Sequence, residues 1–413
     1  MSTGFEHMWR ELLPVGRSTA SGGYRRFAWT AADAECRAWF REQALARGLV
    51  YEQDRNGNQW AWTEVGPNAI VVGSHLDSVP DGGAYDGPLG VVSSFAALDV
   101  LRDRGTPLGR PLAIVNFGDE EGARFNVACV GSRLTAGVLT PDRARALRDA
   151  DGVRLGDAME RAGHDPAMIG ADPERLARIG AFVELHVEQG RDLVHRGRAV
   201  GVASAIWPHG RWRFDFTGEA NHAGTTRLDD RHDPMLTYAN TVLAARKKAR
   251  LAGALATFGK VDARPGAANA IAASVHGWLD ARAADEHTLA DVVEAITRAA
   301  AERGVRDGVD VDAVRESYTP VVEFEGDLRD RIAGRLDDAP ILPTGAGHDA
   351  GILSARVPTA MLFVRNPTGV SHSPAEHAEM VDCLAGVDAL ADVVADLMRD
   401  TDTPDARHPI DTA

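Results

Sequence analysis

The stretch GSHLDSVPDGGAYDG (73–87) follows the apolar run AIVV (69–72), and the fold class can be inferred from the two together. A short run of apolar residues predicts a strand buried on both faces, as in the parallel core of an α/β sheet. The stretch after it carries one histidine and three aspartates, groups that are costly to bury unless something compensates their charge. We therefore expect a buried strand that ends in a cluster of ionisable side chains.

The composition limits what the protein can be. A chain of 413 residues is longer than one hydrophobic core usually serves, which predicts two domains. The net charge of −15 argues against a nucleic-acid partner, whose phosphates require a basic face. No segment approaches the roughly 20 apolar residues of a membrane span. Three scattered cysteines and an N-terminus without a signal-peptide core favour a cytoplasmic protein.

The quoted stretch lies in a strand–helix–strand unit. Segments 69–73 and 112–117 have the pattern of buried strands, and residues 90–105 between them have helical spacing. Further elements are expected before and after this unit: helices at 34–48 and about 384–398, and buried strands at 181–187 and 357–364. This order predicts an α/β catalytic domain with a mainly parallel central sheet flanked by helices.

The middle of the chain has a different pattern. Between 211 and 327, strands and helices follow in the order β-α-β-β-α-β, and the first strand alternates apolar and polar residues. This is the split βαβ, ferredoxin-like arrangement. Because the order is complete in itself, we expect an inserted α+β domain at 211–327. The catalytic domain is then formed by residues 1–210 and 328–413.

Histidine and acidic residues cluster at two strand ends. His75 and Asp77 share one face, so Asp77 can hold one ring nitrogen while the other nitrogen binds a metal. Asp86 follows in a glycine-rich loop. After the second strand, residues 119–121 are three adjacent carboxylates, whose repulsion a divalent cation would remove. The alternatives are a polar turn after the first strand and a solvated acidic turn after the second.

Two later segments add histidines. ELHVEQG places His186 inside a buried strand, where a lone histidine is more often a core or capping group. GVSHSPAEH supplies His372 before the last helix, which Ser373 and Glu376 could instead cap. Taken with the strand-end residues, neutral imidazole and carboxylate ligands suit zinc, manganese or cobalt.

Three further motifs carry polar residues. HAGTT (222–226) lies in the expected insertion, and PGAANAI with LDAR places Asn269 and Arg282 thirteen residues apart, across a strand. GAGHDAG contains His348, and its glycine spacing fails the G-x-G-x-x-G pattern of nucleotide loops. A nucleotide-dependent oxidoreductase is therefore disfavoured.

As a set, these motifs make the chain similar to the amidohydrolase family of N-carbamoyl-L-amino acid hydrolases, allantoate amidohydrolases and β-alanine synthases. These proteins are relatives of dinuclear-metal aminoacylases and dipeptidases. The resemblance runs from GSHLDSV near residue 73 to SHSPAEH near residue 377, and GSHLDSVPDGGAYDG and DEEGARF are its most specific parts. It implies two divalent metal ions per subunit, zinc or manganese, with cobalt and nickel as further candidates. The implied ligands, with Asp86 as the bridge, are His75, Asp86, Glu121, His186 and His372.

The resemblance also implies roles for residues around the metals. Glu120 would be the general base, and His222 would face the tetrahedral oxyanion. Four residues would bind the substrate or line its pocket: Gln189, Asn269, Arg282 and His348. The inserted domain of such proteins is both a lid and a dimer surface. We therefore expect a homodimer in which lid residues can reach the partner subunit's site.

The reaction that the resemblance implies is hydrolysis of a ureido C–N bond in a small carboxylate-bearing molecule. Allantoate, converted to ureidoglycine, ammonia and carbon dioxide, is the first candidate. N-carbamoyl-L-amino acids are the second, followed by N-formyl or other N-acyl amino acids, and a metallopeptidase is less favoured. A non-catalytic binding protein is disfavoured because Glu120 and the five ligand positions are all present. Arg227 stands where the family often has proline, a departure that bears on the substrate rather than on the metals.

Overall fold

The apolar run before the 73–87 stretch forms a strand in which every residue is buried. Three other segments are buried along their whole length in the same way: Leu112–Phe117, Ile179–Val187 and Thr359–Val364. Burial on both faces explains why apolar residues dominate these segments instead of alternating with polar ones. The computed structural model describes residues 2–399. Met1 and residues 400–413, which we assign above to the catalytic domain, lie outside the described residues.

The chain divides into two units, one of which is inserted in the other. Ala205–Glu323 forms the inserted unit, and the chain before and after it forms the larger unit. The sequence pattern predicts the insertion at 211–327, so both boundaries fall a few residues earlier in the structure than in the prediction.

The larger unit begins with helices and strands that mostly alternate. Its elements as far as the insertion are α1 (Ser2–Leu12), α2 (Ala31–Ala46), β1 (Val50–Gln53), β2 (Gln59–Trp62), β3 (Ala69–His75), α3 (Pro88–Asp103), β4 (Leu112–Phe117), α4 (Val130–Thr135), α5 (Pro141–Ala146), α6 (Leu155–Arg161), α7 (Pro173–Leu176), β5 (Ile179–Val187), α8 (Asp192–Arg196) and β6 (Val200–Ile206). The sequence analysis does not predict β1, β2, β6 or the helices between β4 and β6. Most of these elements have four to six residues, too few to carry a recognisable periodicity, and in β6 (VGVASAI) small residues interrupt the apolar pattern.

The elements of the inserted unit follow the predicted order β-α-β-β-α-β, with three additional strands of two residues each. The elements are β7 (His209–Thr217), β8 (Asn221–His222), α9 (Pro234–Ala252), β9 (Leu255–Arg264), β10 (Ala270–Ile271), β11 (Ser274–Arg282), α10 (Glu286–Asp307), β12 (Asp310–Thr319) and β13 (Val322–Glu323). Its main sheet has the order β12-β7-β11-β9 with antiparallel neighbours. Phe214 and Phe216 of β7 belong to one core with Ala245 of α9 and Ile296 of α10. The predicted ferredoxin-like fold is confirmed.

The remaining elements complete the larger unit. They are α11 (Gly326–Arg335), β14 (Ile341–Thr344), α12 (Asp349–Leu353), β15 (Thr359–Val364) and α13 (Met380–Leu397). The sheet has the order β1-β2-β4-β3-β5-β15-β6, with β13 and β14 also paired to β6. Strands β4, β3, β5 and β15 are parallel neighbours, which confirms the predicted α/β class. The carboxyl ends of parallel strands meet at one edge of a sheet, where open α/β proteins bind ligands.

Helices α3 and α13 pack together beside this sheet. Phe95 and Leu98 of α3 and Leu390 of α13 belong to one buried cluster with Val72 of β3 and Val183 of β5. Between residues 2 and 399, no helix combines the length and apolar character needed to cross a membrane. The cytoplasmic location stays a prediction.

Gly90 allows α3 to approach the sheet closely, and replacing it should destabilise the larger unit. A Cβ atom at Gly90 would meet the carbonyl oxygen of Leu185 in β5 and the Cβ of Ser74 in β3. We expect Gly90→Ala to lower the free energy of unfolding by about 1 to 3 kcal/mol, measured by urea denaturation. The control is Gly334→Ala in α11, where a Cβ has nothing within 4 Å and should be neutral or slightly stabilising. A Gly90→Ala protein as stable as the parent would contradict the close approach.

Candidate active site

Polar segments follow the four parallel strands at the edge where their carboxyl ends meet. Strand β3 ends at His75 and leads into the loop that carries Asp86, and β4 leads into residues 119–121. His186 lies near the end of β5, and the segment after β15 carries His372. The larger unit therefore brings together the residues that the sequence analysis names as metal ligands.

Asp86 lies between two groups of ionisable side chains. Its Oδ1 is 3.1 Å from His186 Nε2 and 3.6 Å from His75 Nε2. Its Oδ2 is 3.3 Å from His372 Nε2, which in turn lies 3.6 Å from Glu121 Oε2. In each group the potential ligand atoms lie within 4.8 Å of one another. One carboxylate thus contacts both groups, as a ligand that bridges two cations would.

Several atoms of these groups are suited to binding a cation. Among the atoms of the two groups, three are buried and have no partner in hydrogen-bond geometry within residues 2–399: His75 Nε2, His186 Nε2 and Glu121 Oε1. The Nδ1 atoms of both rings face backbone carbonyl oxygens, at 3.2 Å for His75 and 3.0 Å for His186, which leaves each Nε2 available. Unpaired buried polar atoms are costly, and imidazole with carboxylate suits zinc or manganese. The residues therefore fit divalent cations.

The electrostatics of the cluster favour the same interpretation. Burial raises the pKa of Glu120 well above its usual value, an effect that the nearby His75 only partly offsets. Burial, with the charge of Asp86, also raises the pKa of Glu121 to about 7. Although burial acts against it, the pKa of Asp86 lies well below its usual range because three imidazole rings lie within 3.6 Å of the carboxylate. Carboxylates outnumber the cations available here, and a bound divalent cation would relieve that imbalance.

Asp77 connects the first two strand ends. Its Oδ1 accepts a hydrogen bond from the backbone N–H of Glu120 at 3.1 Å, and its Oδ2 accepts one from Glu121 at 3.0 Å. Asp77 Oδ1 is also 3.6 Å from His75 Nδ1, so both its carboxylate and its carbonyl face that ring nitrogen. Gly87 packs against the same ring, where a Cβ would collide with it, and has φ of +83°.

Glu376 connects the first and last segments of the site. The alternative that Ser373 and Glu376 cap the last helix is wrong, because no side chain caps that helix. Instead, Glu376 Oε1 accepts hydrogen bonds from the backbone N–H groups of Tyr85 at 3.0 Å and Asp86 at 2.9 Å. The loop that carries His372 is thereby tied to the loop that carries Asp86. These partners are 290 residues apart, so no local sequence signal identifies the contact.

Gln189 and Ser371 surround the second oxygen of Asp86. Gln189 Nε2 donates to Asp86 Oδ2 at 2.9 Å and to Ser371 Oγ at 3.0 Å. Ser371 Oγ donates to the same Asp86 oxygen at 3.3 Å. The adjacent His372 has φ of +55°, a left-handed conformation that costs a non-glycine residue about 1 kcal/mol or more and that often occurs at functional sites.

His348 lies beside His186, which forms one group of potential ligands with His75 and Asp86. Its ring is edge-on to that of His186 with the centroids 4.5 Å apart, and burial holds its pKa well below the usual value. Glu184 could complete a third ligand group with His186 and His348. However, both of its oxygens already accept hydrogen bonds, from Ser74 Oγ at 2.7 Å and from the Ala350 N–H at 2.9 Å. We therefore interpret Glu184 as a structural group, which the sequence analysis does not name as a site residue.

The remaining predicted residues lie in the inserted unit, at two separate places. His222 and Asn269 are neighbours, since β8 pairs with β10 and the Ala223 N–H donates to the Asn269 carbonyl at 3.0 Å. Arg282 is the last residue of β11, and its Nε donates to Asp280 Oδ1 at 2.7 Å. The β8–β10 pair lies near the start of β11, and nine residues of strand span about 26 Å. The structure does not bring Arg282 close to His222 and Asn269 within one inserted unit.

Grouped histidines and carboxylates at the carboxyl edge of a parallel sheet, with a buried glutamate beside them, define the class of metal-dependent hydrolases. The profile of peptidase family M20/M25/M40 matches residues 71–396. The chain belongs to this family, whose enzymes depend on metal.

Individual relatives indicate which kind of metal-dependent hydrolase the chain resembles. An N-carbamoyl-L-amino acid amidohydrolase of Geobacillus stearothermophilus is 36% identical over 93% of this chain and 96% of its own. An allantoate amidohydrolase of Escherichia coli K12 is 33% identical over 95% of this chain and 98% of its own. The fold also matches the crystal structure of AtUAH in complex with glyoxylate, with a TM-score of 0.85 and 27% sequence identity. This match covers 97% of this chain and 98% of the AtUAH chain. Like these amidohydrolases, the protein is a hydrolase of C–N bonds other than peptide bonds.

The contact between Glu376 and the Asp86 loop should support metal binding. We expect Glu376→Ala to weaken the binding of Mn²⁺ to metal-depleted protein by about 10- to 100-fold, since it releases the backbone that positions Asp86. Glu376→Gln keeps a carbonyl oxygen acceptor and should bind nearly as tightly as the parent. Glu379→Ala, an exposed carboxylate nearby, is the matched control. Calorimetric titration that gave equal affinity for Glu376→Ala and Glu379→Ala would contradict this role.

Proposed function

We propose that this protein hydrolyses the ureido C–N bond of a small carboxylate-bearing molecule, with allantoate as the substrate. The observation that carries the proposal is the position of Asp86 between two groups of potential metal ligands, with the buried Glu120 beside them. The names of the relatives support the substrate class, because allantoate and N-carbamoyl amino acids both carry a ureido group and a carboxylate.

The ligand groups define how two divalent cations would be held. One cation would be bound by His75, Asp86 and His186, and the other by Asp86, Glu121 and His372. Zinc or manganese suits this set of ligands, with cobalt and nickel as further candidates. Such cations would supply a bound water of lowered pKa and polarise the carbonyl oxygen of the substrate.

Glu120 has the position expected of a general base. Its Oε2 is 3.7 Å from His75 Nε2, so this oxygen faces the ligand groups. The hydrogen bond from its own N–H to Asp77 fixes the backbone from which it projects. Glu120 would take a proton from the attacking water and deliver it to the leaving nitrogen, and burial favours the protonated intermediate state.

The other predicted residues would bind and orient the substrate. His222 would stabilise the oxyanion, and the fork-shaped guanidinium of Arg282 would bind the substrate carboxylate through two hydrogen bonds. Asn269 and Gln189 would hydrogen-bond to its amide groups, and His348 would line the pocket. Closure of the inserted unit as a lid would then exclude water from the site.

N-carbamoyl-L-amino acids are the second candidate substrates. The relative of that name is 36% identical, slightly more than the 33% of the allantoate amidohydrolase. Both kinds of substrate would use the same cations and base, and they differ in what surrounds the carboxylate. N-formyl or other N-acyl amino acids follow, and a metallopeptidase activity is less favoured.

The inserted unit supports a homodimer. A small substrate cannot contact Arg282 and His222 of one inserted unit when about 26 Å of strand separates them. Each inserted unit would therefore serve two sites, with His222 and Asn269 reaching the site of the partner subunit. The edge strand β9 and helix α9 also expose apolar side chains that a second copy could cover: Leu236, Leu243, Leu251, Leu255 and Val261.

Ammonia release from allantoate by the manganese-loaded protein tests the reaction. We expect the parent to release ammonia and Glu120→Gln to lower kcat by about 100-fold or more with unchanged metal content, since the amide cannot accept the proton. Release from N-carbamoyl amino acids alone would move the assignment to the second candidate. Equal activity of the Glu120→Gln protein would contradict the role of the base.

Mixing two inactive variants tests whether His222 serves the partner subunit. Glu120→Gln and His222→Ala proteins should each be inactive, but subunit exchange should restore about a quarter of the parent activity. A mixed dimer then has one site with both Glu120 and His222 intact. If the two residues act within one subunit, exchange restores nothing. The formation of mixed dimers is verified by affinity tags of two kinds.

A further inference from the structure

Glu120 lies in a loop whose two ends are joined by backbone hydrogen bonds. The Val130 N–H donates to the carbonyl of Asp119 at 3.0 Å, and the Cys129 N–H donates to the carbonyl of Glu120 at 2.6 Å. Asp119 and Cys129 have left-handed backbones, with φ of +56° and +57°. The loop is thus closed so that Cys129 lies directly opposite Glu120.

The side chains of these two residues are also in contact. Cys129 Sγ donates to Glu120 Oε1 at 3.2 Å, while Glu120 Oε2 lies 3.7 Å from His75 Nε2. Cys129 therefore contacts both the backbone and the carboxylate of Glu120. The thiol holds one oxygen, and the other oxygen faces the ligand groups.

The environment keeps the thiol suitable as a donor. Cys129 is 3% exposed and Glu120 is 5% exposed, so little water can compete for the contact. Burial and the nearby carboxylate of Glu120 raise the pKa of the Cys129 thiol well above its usual value, so the sulfur keeps its proton. A buried S–H is a weak donor, yet it points to an acceptor whose orientation matters for proton transfer.

We propose that Cys129 is a positioning residue for Glu120. Its thiol hydrogen bond fixes the rotation of the carboxylate, so that Oε2 is the oxygen presented to the attacking water. The inference rests on the proposed function, in which Glu120 transfers the proton. Cys129 itself contacts Glu120 and not the reacting atoms.

Substitutions at Cys129 test the proposal through kcat and KM for allantoate. We expect Cys129→Ala to lower kcat by about tenfold with KM within about twofold of the parent, because binding is unaffected while the base is misoriented. Cys129→Ser supplies a hydroxyl donor and should recover kcat to within about twofold. Cys383→Ala removes another buried thiol, remote from Glu120 in the last helix, and should match the parent. Parent-like kcat in Cys129→Ala, or equal losses in Cys129→Ala and Cys129→Ser, would overturn the proposal.

An infrared measurement of the metal-depleted protein tests the contact without activity. The S–H stretching band of Cys129 is the band that disappears in Cys129→Ser. In the parent it should lie at the frequency of a hydrogen-bonded thiol, and in Glu120→Ala it should shift towards the frequency of a free thiol. A band unmoved by Glu120→Ala would overturn the proposal. If the proposed function alone is wrong, either the parent releases no ammonia from allantoate or Glu120→Gln retains the release, while the band still shifts in Glu120→Ala, which separates the two failures.

Discussion

The carboxylate of Asp86 lies where two groups of histidines and acidic side chains meet, and the rest of the site depends on its charge. Each oxygen faces a different group, with His186 and His75 on one side and His372 on the other. Without that negative charge, the buried rings of His75 and His186 and the exposed ring of His372 would lose the carboxylate that contacts all three. With the carboxylate in place, the imidazole nitrogens and carboxylate oxygens converge on two positions that could each hold a divalent cation. A bound cation would offset the free-energy cost of burying these polar atoms.

The site is assembled by a small number of contacts between loops. Asp77 ties the end of β3 to the backbone of Glu120, and Glu376 ties the segment after β15 to the backbone of Asp86. Cys129 closes the loop after β4 on itself. Each contact uses a side chain that is not a predicted ligand to hold the backbone or carboxylate of a residue in the cluster. The strands supply the common edge, and these contacts determine where the side chains lie along it.

The sequence predicts the parts of this arrangement that depend on local pattern. Strands β3 and β4 are recognisable because each is a short apolar run followed by a polar motif, and helix α3 because its apolar residues repeat with the helical period. The motifs also name the five residues that the structure brings together, although their role as ligands stays a proposal. The contacts of Glu376 and Cys129 could not be predicted, since they depend on distant pairing and on left-handed backbone at Asp119 and Cys129. The position of Asn269 and Arg282 on either side of a strand follows from the sequence, whereas the pairing that brings His222 beside Asn269 emerges only from strand register.

The contact between Glu376 and Asp86 has a consequence for biosynthesis. Because its partners are 290 residues apart and the inserted unit lies between them, the ribosome must complete that unit before the cluster can close. Domains generally fold as units while the chain emerges. A nascent chain in which only His75, Asp86 and His186 have emerged contains one of the two ligand groups. Its Asp86 loop still lacks the hydrogen bonds to Glu376. The second group of potential ligands, which requires His372, would therefore be complete only when almost the whole polypeptide has left the ribosome.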